Sequence, residues 1–159
     1  KAIDEWPDTN PGDNNGTSVR AGMDVLRTLG HRRLRKTGET TNPLEGILRN
    51  EWATQTDQVR QCIAGGTPVV LGIEWMEDFF TPEKVGREYW IGRKEGGKIA
   101  GGHAICCYGA SDKRQAIKLV NSWGSSWPVV WLPYERLQKL IDGYEQPGEC
   151  TVIFDRPER

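Results

Sequence analysis

Hydrophobic and polar positions along this chain change their period once, near residue 66. Residues 1–16, rich in Pro, Gly, Asn and Asp, predict a leading segment of loop and turns. A helix is expected next. Thr17 or Ser18 stands where a cap is needed, Val19, Met23, Leu26 and Leu29 share one face, and Gly30 follows the last turn. Residues 31–53 carry weak signals and are expected to be mainly loop. A second helix is predicted over 56–64, closed by Gly65 and Gly66, with Val59 and Ile63 on its inner side.

Beyond that point the period is that of strands. Residues 68–73 read as a short buried strand, 75–80 as one helical turn, and 88–91 as an edge strand. Segments 103–109 and 116–121 form a hairpin by pattern around the polar turn Ser111-Asp112-Lys113-Arg114. A strand over 129–132, a helix over 134–141 and a closing strand over 150–154 complete the series. Helices first and a mostly antiparallel sheet afterwards predict an α+β fold in one domain, with a leading loop (1–16), a helical part (17–66) and a sheet part (67–159).

Composition narrows the class. With 36% hydrophobic and 27% charged residues, a chain of 159 residues reads as globular and soluble. A net charge of −1 provides no field that would draw nucleic acid or a membrane surface, so neither is expected as a partner. The one basic stretch, Arg27, His31, Arg32, Arg33, Arg35 and Lys36, reads as a solvated helix end rather than an anion patch. No apolar run approaches the roughly 20 residues of a membrane span, and residues 1–20 hold no signal-like stretch. An intracellular or virion-associated location is the expectation. Lys1 is not a Met, so an upstream segment is expected to have been removed or omitted. The four cysteines, Cys62, Cys106, Cys107 and Cys150, contain no CxxC spacing and two are adjacent. No zinc, other metal or cofactor is expected, and the thiols read as mostly reduced.

Chemistry concentrates in Gly101-Gly102-His103-Ala104-Ile105 and, 18 positions after His103, in Asn121-Ser122-Trp123-Gly124-Ser125-Ser126-Trp127. His103 opens one predicted hairpin strand and Asn121 closes the other, which sets them side by side. An Asn carbonyl accepting one imidazole N–H fixes the tautomer and frees the other nitrogen as a general base. Trp123 is placed to roof that bond, and backbone at Gly101-Gly102 to approach a substrate closely. The same residues also serve a His that satisfies a strand end and an Asn that begins a turn. Spacing alone leaves both readings open.

GGHAI followed by NSWG resembles the His and Asn signatures of papain-like cysteine peptidases, and bacterial and phage members in particular. Asn14-Asn15-Gly16-Thr17-Ser18-Val19-Arg20-Ala21-Gly22 resembles a helix that follows their nucleophile segment. Gly66-Thr67-Pro68-Val69-Val70 with Gly72 and Trp75 is similar to a strand and loop bordering their cleft, and Tyr134-Glu135-Arg136-Leu137 to the helix after NSWG. The resemblance implies a papain-like α+β fold, represented mainly by its antiparallel-sheet (right) lobe with flanking helices. It implies His103 as base and Asn121 as its orienting partner. Trp123 and Trp127 then shield and border the site, Gly102 and Ala104 flank the base, and Trp75 forms a pocket wall.

Two departures accompany it. None of the 102 residues before His103 spells the family's nucleophile segment, and its oxyanion-donating Gln has no counterpart. After NSWG the chain reads Trp127-Pro128-Val129-Val130-Trp131, without the family's glycine-rich turn. No resident cysteine fits the nucleophile: Cys62 falls late in a helix, Cys106 faces away from His103, and Cys107 lies about 13 Å along the strand. The expected function is thiol-dependent hydrolysis of a polypeptide substrate, with the nucleophile on an upstream segment and this chain inert alone. A missing N-terminal segment or another protein chain is then the expected cover for the exposed lobe surface. The alternative is an inactive papain-fold structural or binding protein, for example in a phage or other large assembly. A papain-fold acyl transferase ranks behind both.

Overall fold

Ser18 starts the first helix by accepting the Ala21 N–H on its hydroxyl at 3.1 Å, leaving α1 to run Val19–Thr28 with Val19 and Met23 buried. Gly30, at φ 69°, ends it. A computed structural model describes residues 17–31, 37–39 and 46–155. The expected loop 1–16 and the basic residues Arg32, Arg33, Arg35 and Lys36 lie outside the described residues. The chain divides into two compact units, residues 1–51 with 153–159, and residues 52–152.

Strand β1, Ile47–Ala53, occupies part of the region expected to be loop. Only its first and last residues are buried, and Arg49, Asn50 and Glu51 lie between them. The alternation that reveals a half-buried strand is therefore missing. Arg49 pairs with Glu51 and holds its guanidinium 4.2 Å from the centre of the Phe154 ring.

In the second unit, α2 (Thr56–Ala64) begins where expected. Gln138 accepts the Thr56 N–H at 2.8 Å, and Val59 is fully buried. The remaining strands are β2 (Val69–Met76), β3 (Glu83–Val85), β4 (Glu88–Trp90), β5 (Ile99–Ser111), β6 (Ala116–Val120), β7 (Val130–Pro133) and β8 (Glu149–Asp155). Helix α3, Tyr134–Asp142, follows β7 and buries Leu137 and Leu140. Within this unit the strand order is β8-β2-β5-β6-β7-β4-β3, and β4 and β7 run parallel within an otherwise antiparallel set. This is the expected α+β class. Among the described residues no helix is long and apolar enough to cross a membrane.

Two expectations change along the way. The single helical turn expected over 75–80 is shorter, because β2 continues through Met76 and a 3-10 turn takes only Glu77–Phe80. Strand β4 is not an edge, because β3 lies outside it; the exposed Glu83-Lys84-Val85 has no apolar alternation to announce it.

Strand β2 is buried on both faces, and one buried residue is Glu74, 7% exposed. Its carboxylate accepts the backbone N–H groups of Tyr144 (2.5 Å), Glu145 (2.7 Å) and Gln146 (2.8 Å). Gly143 makes this return possible: its φ is 81°, and a Cβ there would lie 2.1 Å from the Gln146 carbonyl oxygen. Burial pushes the Glu74 pKa up, but the three backbone donors outweigh it and hold the pKa below its ordinary value. A depressed folded-state pKa adds stability above the unfolded pKa and loses it as pH falls through the folded value. Glu74→Gln is expected to cost about 2–4 kcal/mol at pH 7. The gap to the native chain should narrow below about pH 4. Urea melts at pH 7 and pH 3 check this, and an equal difference at both pH values would contradict it.

Candidate active site

Strand β5 is much longer than β6, and the site sits in the difference. On one side β5 pairs with β2, with Ile73 opposite His103 and Trp75 opposite Gly101. On the other side the ladder to β6 ends at Cys106 and Val120. His103 therefore lies within β5 rather than opening it, as the hairpin pattern had suggested. The continuation through Gly101 and Gly102 has too few side chains to register as strand. Asn121, the first residue after β6, reaches the open flank, and its Oδ1 lies 3.1 Å from His103 Nε2.

The proton positions follow from a second bond. Asn121 Oδ1 also accepts the Ser122 backbone N–H at 2.8 Å, which an amide nitrogen there could not do. The oxygen is thus the atom facing His103, so Nε2 carries the proton and donates. The lone pair is left on Nδ1. Burial pushes the His103 pKa below its ordinary value, and the Asn121 bond offsets only part of this. The imidazole is mainly neutral at pH 7, the state a general base requires.

Aromatic rings enclose the pair. Trp75, only 2% exposed, meets the imidazole edge-on at 4.6 Å, and Trp123 lies tilted over it at the same separation. Trp127 packs against both Trp75 (6.0 Å) and Trp123 (5.7 Å). Trp75 is buried because Glu74 and Trp75 fill opposite faces of a strand covered on both sides. Phe80, 49% exposed, stacks on the 38% exposed Trp123 with centroids 5.5 Å apart and planes 8° from parallel. Sequence reasoning passed over Phe80; its only signal is a pair of Phe residues in the polar run Glu77-Asp78-Phe79-Phe80-Thr81. The Trp75 Nε1, Trp127 Nε1 and Asn121 Nδ2 atoms are buried with no protein acceptor.

Gly102 and Ala104 flank His103 and are exposed on the opposite face of β5, where nothing lies within 4 Å of a Cβ built on Gly102. Among the described residues no cysteine is hydrogen-bonded to His103. Cys107 and Cys150 are buried, and burial pushes both thiols up, Cys150 to about 12 and Cys107 further. Cys106, also raised by burial, sits on the face of β5 away from His103. Cys62 lies near the C-terminal end of α2. No group of three or more potential metal ligands occurs among the described residues.

The fold is that of a cysteine protease. The chain matches the crystal structure of xylellain, a cysteine protease from Xylella fastidiosa, with a TM-score of 0.67 and 21% identity over 96% of this chain and 68% of that one. At this identity the likeness is one of fold. No protein-family model matches the chain, and no curated protein matches it.

The opposed causes of the His103 shift make a test. Asn121→Ala removes the contribution that raises the pKa and should lower it further, whereas Trp123→Ala admits water and should raise it towards the ordinary value of about 6.5. An NMR titration of the His103 ring checks both, and shifts of the same sign would contradict the geometry.

Proposed function

We propose that this chain carries the general base of a papain-like cysteine peptidase acting on polypeptide. The observation that supports it most is the His103 Nε2–Asn121 Oδ1 hydrogen bond at 3.1 Å, with Trp123 tilted over the imidazole. In this reading Nδ1 takes the proton of a thiol, producing a thiolate–imidazolium pair. The thiolate attacks the scissile carbonyl, and the imidazolium returns its proton to the leaving amine as the carbon–nitrogen bond breaks. Water then hydrolyses the thioester, with Nδ1 again accepting the proton and the thiol regenerated. The thiol belongs to a segment N-terminal to Lys1 or to another chain, and that segment covers the exposed Phe80 and Trp123 rings.

A second reading, a catalytically inactive structural or binding protein of the same fold, draws its support from the cysteines. The two nearest His103 in sequence are each raised by burial, and Cys106 faces away from it. The two readings separate in one assay of fluorogenic peptide turnover. Residues 1–159 alone should show none, and a form extended upstream of Lys1 should show turnover that iodoacetamide abolishes and His103→Ala reduces at least about 100-fold. Iodoacetamide-sensitive turnover by residues 1–159 would contradict the assignment of the thiol. An extended form that is folded yet inert would favour the second reading.

A further inference from the structure

Arg136 is 5% exposed, and among the described residues it has no ion-pair partner. Its Nη1 donates to Tyr144 Oη at 2.6 Å and its Nη2 to the Gly96 carbonyl at 3.3 Å, which leaves one N–H on each without a protein acceptor. The Nε atom is buried and also has none. The Phe79 and Tyr144 rings, 5.8 and 5.3 Å from the guanidinium carbon, offset the charge only weakly. A buried guanidinium is costly unless a counter-charge meets it.

The residue lines a cavity of about 420 Å³ together with Met76, Lys98, Ile99, Tyr144 and Glu145. Its charged lining is two cations against one carboxylate. Its walls are fixed from behind, because Glu74 holds the backbone of Tyr144 and Glu145. Ile99 lies four residues before His103 in β5, about 13 Å along the strand, within reach of a polypeptide that extends past the imidazole.

We propose that this cavity is a carboxylate-binding subsite, in which the Arg136 guanidinium and the Lys98 ammonium receive an Asp or Glu side chain of a bound polypeptide. The occupant rests on the peptidase reading; the carboxylate site does not. Arg136 is the anchor because its planar fork presents paired donors to a carboxylate. Lys98, exposed at the rim, adds attraction, and Glu145 opposes it.

The test is a titration of the whole ¹⁵N-labelled chain with N-acetylglutamate methylamide, followed at the Arg136 Nε–H resonance. A saturable shift in the roughly millimolar range is expected, absent with the glutamine counterpart. Lys98→Gln should weaken binding about two- to fivefold and Glu145→Gln should strengthen it by a similar factor. Both residues are exposed, so neither variant threatens folding as Arg136→Ala does. No saturable shift, or an equal shift with the glutamine compound, overturns the site. Acetate acting at the same concentration as the glutamate compound assigns it to small free carboxylates and overturns the peptide occupant. The readout needs no turnover, so a negative result leaves the peptidase reading standing, and an inert protein leaves the subsite standing.

Discussion

A hydrogen bond between a residue within β5 and the first residue after β6 governs the rest of the site. β5 continues past the end of its ladder with β6, so one flank of His103 is open where Asn121 turns away from β6. Asn121 Oδ1 accepts from both the imidazole and the Ser122 backbone, and the tryptophans above and beside the ring keep water from competing. The same enclosure that strengthens the bond penalises the imidazolium. Orientation and a lowered pKa therefore have one cause, the packing of Trp75 and Trp123 on the ring.

Strand β2 supplies much of that packing and serves two regions at once. Trp75 on one face supports His103. Glu74, one residue earlier and on the other face, gathers the backbone that follows α3. That backbone forms part of the wall around Arg136. Displacing β2 would thus disturb the imidazole and the cavity together. Both depend on residues buried so completely that neither touches solvent to any useful extent.

What was legible in the sequence follows from these facts. The two short strings around His103 and Asn121 made the contact between them legible, because the hairpin brings them together; spacing alone left their role open. Helix α2 was legible from its period and closing glycines, and α3 from its apolar stripe. Strand β1 was not, since its buried residues stand only at its ends. The extension of β2 over Glu74 to Met76 was hidden because a charged residue inside a strand ordinarily signals solvent. Here it signals three backbone donors that sequence cannot show. The full burial of Trp75 was not legible for the same reason: burial on both faces is a property of the sheet order, not of the local pattern. Phe80 acquires its place only once the 3-10 turn sets its ring on Trp123.

The central claim is that Asn121 fixes His103 with its proton on Nε2 and its lone pair on Nδ1. Two-bond proton–nitrogen correlation spectra of the neutral His103 ring test this directly. A protonated, pyrrole-type Nε2 and an unprotonated, pyridine-type Nδ1 are expected, with the tautomers becoming mixed in Asn121→Ala. A protonated Nδ1 in the native chain, or a tautomer mixture that Asn121→Ala leaves unchanged, would contradict it.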